Sequence, residues 1–321
     1  MSATPTILSI ERYTPEAAAE WDAFVDLAKN GVFLFRRGYM DYHADRFHDH
    51  SLMFRGADRK LLALLPGCDR PNGVFASHAG LTFGGVISDR RMKVATMVDL
   101  FEVLKVYLRD RQMSTLVYKA VPHIYHRVPA EEDLYALTLN GARLVRRDVS
   151  TTIDLRDRIE YTKGRKWSTN KAHAAGIEVI ESRDFRGFMA IESAHLQARF
   201  GVNPTHSGDE MELLASRFPD NIRLFMSRHE ERPIGGMIIY QSAKVAHAQY
   251  IAATDEGRTL GSLDAIMAHL LGNNVCDQQA YFDFGISTTE NGMVLNRGLA
   301  DNKESYGGRA VVYDSYEWTI N

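Results

Sequence analysis

The sequence predicts an α+β fold of two tandem units, each a mixed, mostly antiparallel sheet flanked by helices. Three observations carry that expectation. A chain of 321 residues is long for one core and comfortable for two units of about 150. The order hairpin, helix, strand occurs twice, with its hairpins about 170 residues apart and negligible identity between the copies, which makes it a repeat of fold and not a solenoid period. Near the end, the strand Tyr281-Phe-Asp-Phe-Gly285 breaks at a glycine, as a strand does where a sheet opens or another backbone comes close.

Taken in order, Thr14-Pro-Glu starts a helix by capping and by proline in the first turn, and Trp21, Phe24, Val25 and Ala28 fall on one stripe. Asn30-Gly31 stops it. Ser51–Arg55 and Lys60–Leu65 read as a hairpin, and Gly73–His78 and Leu81–Ile87 as further strands of the same sheet. Val94–Leu108 has helical spacing of its apolar residues, and Ser114–Lys119 is a short strand of buried type. The second copy runs through strands at Ile222–Ser227, Ile234–Tyr240 and Val245–Ile251, a helix at Ser262–Leu271 and the strand at Ala280–Phe284, with a short helix over Glu210–Phe218 before them. A boundary is expected near Arg146-Arg147, giving units at residues 1–147 and 148–292 and a tail at 293–321 that returns to the first unit.

Composition narrows the class. With 45% hydrophobic and 25% charged residues this is an ordinary soluble globular chain, and no apolar run approaches the ~20 residues that cross a bilayer. Met1–Thr6 lacks a basic segment followed by an apolar stretch, so a cytoplasmic protein is expected. Cys68 and Cys276 stand far apart and outside any C-x-x-C pair, which reads as two buried thiols. A net charge of −3 argues against a large nucleic-acid partner, which calls for clustered Lys and Arg. The one basic run, Lys163–Lys171, is read either as a solvated helix face or as a rim for a phosphorylated ligand. Asp41–His50 packs three histidines and three aspartates into ten residues, but it runs straight into a strand and no second cluster supplies remote ligands. It is read as a polar rim, and no metal is expected.

Three segments together resemble the Fem-type acyl and aminoacyl transferases, which carry two tandem GNAT units. The strand end Asp283-Phe-Gly285 precedes Gly298-Leu-Ala-Asp-Asn-Lys-Glu-Ser-Tyr-Gly-Gly308, similar to that family's D-F-G and G-L-x-x-x-K-x-x-F-G-G. Lys171-Ala-His-Ala-Ala-Gly-Ile-Glu-Val179 is similar to its helix-to-strand passage, and Lys119 with Pro122 to its K-x-x-P region. Asn302 stands where the family has an aromatic residue. The resemblance implies an acyl-group transferase, with the second unit on the donor side and the first on the acceptor side.

Acyl transfer from a thioester needs a place for the donor's diphosphate, hydrogen-bond donors for the oxyanion and a base for the attacking amine or hydroxyl. Asp255-Glu-Gly-Arg-Thr-Leu-Gly-Ser-Leu263 lies between a strand and a helix and resembles the GNAT diphosphate turn, with Leu263 in place of its last small residue. It nominates Arg258, Thr259, Gly261 and Ser262 for the donor, Ser262 being also a candidate helix cap. Lys303, which the resemblance assigns to charge stabilisation near the acyl group, is the first catalytic candidate, with His206, Asp283 and Tyr250 beside it. Lys119, His123, Tyr306 and Arg309 are the candidates for acceptor binding. The expected donor is an acyl-CoA such as acetyl-CoA, since charge disfavours tRNA and no long coiled-coil insertion is present; the acceptor is an amine or hydroxyl of a cell-envelope precursor such as a sugar nucleotide. Two alternatives stay open: a tRNA-dependent aminoacyl transferase acting on a peptidoglycan precursor, and a non-catalytic double-GNAT module that binds a glycan precursor.

Overall fold

The computed structural model describes residues 7–273 and 275–321, so the hexapeptide read for a leader lies outside the described residues. The chain forms two compact units. The first takes the residues up to Asp148 with Thr289–Val294 and Val312–Asn321; the second takes Val149–Thr288 and Leu295–Val311.

In the first unit the chain runs through β1 (Ile7–Arg12), α1 (Ala18–Leu27), α2 (Arg37–Met40), β2 (Leu52–Gly56), β3 (Leu61–Leu65), β4 (Cys68–Arg70), β5 (Val74–Ala76), β6 (Ile87–Ser88), α3 (Val94–Asp110), β7 (Thr115–Lys119) and α4 (Glu132–Leu139). The β2–β3 hairpin joins β1 on one side and β6 on the other in an antiparallel sheet. The segment Gly73–His78, expected on that sheet, does not join it. Its strand β5 pairs antiparallel with β4 and parallel with β7, and β7 in turn pairs with Ser315–Thr319 from the end of the chain. Apolar content marked it as a strand, but a three-residue run carries no information about which neighbour takes its hydrogen bonds. The core forms where the stripe Met97, Leu100, Phe101, Leu104 and Leu108 of α3 packs with Phe54, Leu65, Phe75, Tyr118 and Trp318.

The second unit begins inside β8 (Arg143–Asp154) and continues with α5 (Lys163–Ala174), β9 (Glu178–Ser182), α6 (Phe185–Phe200), α7 (Gly208–Arg217), β10 (Ile222–His229), β11 (Arg232–Gln241), β12 (Val245–Ala253), α8 (Asp255–Leu260), α9 (Ser262–Gly272) and β13 (Tyr281–Ile286). Two-residue strands β14 (Thr288–Thr289) and β15 (Val294–Leu295), α10 (Arg297–Glu304) and β16 (Arg309–Thr319) complete the chain. Its strands lie in the order β8-β13-β12-β11-β10-β9, antiparallel except for the β12–β13 pair, and Phe225, Met237, Ile239, Ala246, Ile266, Leu270, Phe282 and Phe284 fill the core on the α9 side. The mixed α+β architecture expected from sequence is present.

The division between the units falls between Asp148 and Val149, inside the continuous strand β8 and beside Arg146 and Arg147, and the first residues of that strand are exposed. The segment Leu295–Val311, expected to return to the first unit, belongs to the second, because Tyr306 is buried among Phe284 and its neighbours in the second core.

Candidate active site

Strands β12 and β13 pair in parallel only through Val245–Tyr281, Ala246–Phe282 and His247–Asp283. Beyond that point they part. On β12 the register against β11 skips Gln249, a bulge that turns the strand, and β13 bends at Gly285, whose φ of +76° is left-handed backbone that a side chain disfavours. The result is a notch whose end is marked by His247 and Asp283.

Asp283 is fully buried and accepts hydrogen bonds from Thr152 Oγ1 at 2.7 Å, from Ser150 Oγ and from His247 Nδ1 at 2.7 Å. Burial alone would push this carboxyl up; the bonds from His247, Ser150 and Thr152 outweigh it and hold the group below the ordinary carboxylate range. Lys303, brought to the same place by α10, is buried and donates from Nζ to the carbonyls of Gly285 and Ile286, both at 2.8 Å. Desolvation lowers its ammonium to about 8, against the nearby Asp283 charge. Further along β12, Tyr250 holds His206: its hydroxyl lies 2.6 Å from His206 Nδ1 and accepts the His206 backbone N–H at 3.2 Å. Ser207 and Glu210 form a capping box at the start of α7 and fix the loop that carries this histidine. Of the four catalytic candidates, Asp283 and Lys303 meet at the bend, and His206 and Tyr250 form a separate buried pair. His247 was missed.

A cleft of about 660 Å³ within the second unit is lined by Arg165, His195, Arg199, Arg258, Gly261 and Tyr306 among others. The α8–α9 turn has Gly261 at φ +81°, and a Cβ there would stand 2.8 Å from the Ser168 carbonyl, so only glycine lets α5 approach the start of α9 this closely. Arg258 lines the cleft and is held by Asp255 and the Ala253 carbonyl. Thr259 gives its hydroxyl to the Asp255 carbonyl at 2.9 Å. Ser262 departs from both of its expected roles. It is fully buried with its hydroxyl 2.7 Å from that of Ser227, and the cap position of α9 is Gly261 with no side-chain bond. Asp264, in the first turn, accepts from Ser168 at 2.7 Å, Tyr306 at 2.8 Å and Arg165 at 3.1 Å. Tyr306 therefore lines this cleft beside the donor candidates, with its hydroxyl bound and pushed far up by burial first and the Asp264 charge second. It is not placed as an acceptor residue.

The remaining candidates lie apart from the cleft's lining. In the first unit Lys119 is half-buried against the Leu81 carbonyl, and desolvation lowers it to about 8, while His123 is exposed. Arg309 is exposed and bonds the Gly308 carbonyl. In the Asp41–His50 stretch Asp41, Asp45, Arg46 and His48 are exposed, whereas two of its three histidines turn inward. His50 is buried between Asp69 and Tyr107, and His43 stacks under Tyr42 beside His78. Among the described residues no group of three or more His, Cys, Asp or Glu is placed to hold a metal ion. Cys68 and Cys276 are free and buried, and no described helix is long and apolar enough to cross a membrane.

Residues 160–291 match the family model described as an acetyltransferase (GNAT) domain. The second unit is a GNAT domain. It carries the notch, the cleft and Lys303, and with them the fold of an N-acyltransferase. Among solved structures, FemX superposes on the chain with a TM-score of 0.68 at 11% identity, covering 98% of each chain. L-PGS from Bacillus licheniformis gives 0.62 at 14% identity, covering 97% of this chain and 93% of that one. At such identities the likeness is one of fold, and it extends over nearly the whole chain. No curated protein matches the sequence significantly.

Proposed function

We propose that this protein transfers an acyl group from a CoA thioester to an amine, or a hydroxyl, of a cell-envelope precursor such as a sugar nucleotide, in the cytoplasm. The observation that carries the reading is the parting of β12 from β13 past His247 and Asp283. It leaves the β12 edge without a partner strand on that side, which suits the amide-bearing arm of a pantetheine thioester as a surrogate strand. GNAT domains in general take acyl-CoA. The first N–H groups of α9 lack intrahelical partners, and the start of that helix lines the cleft together with Arg258, a setting that favours a diphosphate. Asp264 already occupies that helix start with Arg165 and Ser262 is fully buried, so the diphosphate is left the Leu263 amide and the arginines on the cleft wall.

At the chemical step, charge grows on the thioester oxygen and then on sulfur. Lys303 stands at the bend of β13 beside the notch. While it holds the Gly285 and Ile286 carbonyls its third proton is directed elsewhere, and its low-dielectric setting strengthens any bond it makes to a developing oxyanion. Differential thermal stabilisation tests the donor: acetyl-CoA is expected to raise the melting temperature and charged tRNA to leave it unmoved. No shift with any CoA thioester overturns the reading, and a shift with charged tRNA alone selects aminoacyl transfer.

A further inference from the structure

The imidazole of His247 stands where the two strands separate, and its surroundings fix its chemistry. Its Nδ1 lies 2.7 Å from Asp283 Oδ2, and a buried, ionised carboxylate can only accept, so in the neutral imidazole the proton sits on Nδ1 and the lone pair on Nε2. Nε2 has no hydrogen-bond partner among the described residues. The Cε1–Nε2 edge faces Gly285: a Cβ on that residue would sit 3.3 Å from Cε1 and 3.9 Å from Nε2. Gly285 thus has the imidazole edge on one side, while its carbonyl is held by Lys303. Asp283 is fully enclosed, yet 13% of the His247 side chain is exposed, so of the pair only the histidine reaches the notch. Asp283 on β13 bonds the ring directly, and Lys303 on α10 bonds the carbonyl of Gly285, the residue the ring faces. His206 lies apart from the bend, paired with Tyr250 further along β12.

We propose that His247 is the general base of acyl transfer in this protein and that Asp283, with Ser150 and Thr152 behind it, is its positioning residue. The inference rests on the acyl-transfer reading above. As the acceptor nitrogen bonds to the thioester carbonyl carbon, Nε2 takes one of its protons; as the carbon–sulfur bond breaks, the imidazolium returns that proton to the departing sulfur. The products are an amide and a free thiol, and no other reactant is needed. Asp283 holds the ring in the tautomer that can accept and stabilises the cation that forms.

The test uses the full chain, acetyl-CoA as donor, and two amine probes, glucosamine and hydroxylamine, the second small enough to need no recognition. Thiol release is followed against pH, and acetyl-CoA binding is measured by calorimetry. His247→Ala is expected to lower kcat at least 100-fold at neutral pH with acetyl-CoA affinity within threefold of the parent, and added imidazole to restore part of the rate. Asp283→Asn is expected to lower kcat and to move the acidic limb of kcat/KM to lower pH, since the imidazolium loses its carboxylate; a purely structural loss would leave that limb in place. Melting curves of both variants exclude unfolding, and His247→Gln serves should the alanine variant fail to fold. A His247→Ala protein that keeps kcat within threefold, while Lys303→Ala loses turnover, overturns the assignment and leaves the acyl-transfer reading standing. A parent protein that binds acetyl-CoA but acylates neither probe also overturns it. Absence of acetyl-CoA binding in the parent removes the acyl-CoA reading itself.

Discussion

Lys303 is both a bond in the fold and a charge at the notch, and the two roles predict separable effects. Replacing it by alanine leaves the Gly285 and Ile286 carbonyls without their donor, which costs about 1–3 kcal/mol, and is expected to lower turnover by about 10²–10³ as for loss of an oxyanion partner. Melting temperature and kcat, measured on the same variant, separate them. In the first unit His78 behaves oppositely to an ordinary surface histidine. Burial first, and then the neighbouring His43, lower its pKa to about 3. An unfolded histidine near 6.5 binds its proton earlier, so the contribution of His78 to stability is complete above that value and is lost as pH falls from about 6.5 toward 3. His78→Phe is expected to flatten the acid side of the first unit's stability curve, read by denaturant titration at pH 7 and pH 4. At this scale the sequence nominates Lys303 and Asp283 because each sits in a spaced motif, and the structure brings the two to the bend of β13. The sequence was silent on His247, because a histidine between alanines in a strand looks like any half-buried position until the partner strand places Asp283 opposite it.

Among the elements, the bend of β13 does most to set the site. Gly285→Ala forces a side chain into left-handed backbone, at about 1–2 kcal/mol, and brings its Cβ against the His247 ring. The expected outcome is a lower melting temperature together with a loss of activity larger than the loss of stability explains; equal activity at full folding would show that the ring position is unimportant. Helix α7 offers a milder probe. Ser207→Ala removes one half of its capping box and is expected to cost about 1 kcal/mol. Most elements were readable from period and punctuation: α1, α3, α7, α9 and the hairpin β10–β11 all follow their apolar spacing. Helix α10 was hidden, since Arg297–Glu304 is nearly all polar and its buried positions are only Ala300 and Lys303. The sheet joined by β5 was hidden for a different reason, because pairing partners are chosen by tertiary geometry and not by the residues of a three-residue strand.

For the whole molecule, the two-unit organisation could be read from length and repeated order, whereas the interleaving of the units could not. The units divide inside the continuous strand β8, and the polar surface of Arg297–Glu304 conceals the buried Tyr306 that commits this stretch to the second core. Trp318 is buried in the core of the first unit, and the strand carrying it pairs with β7. Trp318→Ala is expected to cost about 3–5 kcal/mol, and limited proteolysis should then cut the first unit before the second; cleavage in the opposite order would contradict the division drawn here. The same arrangement constrains synthesis. The first unit cannot be completed until Val312–Thr319 has been made, because β7 and the core around Leu116 and Tyr118 wait for the strand that carries Trp318.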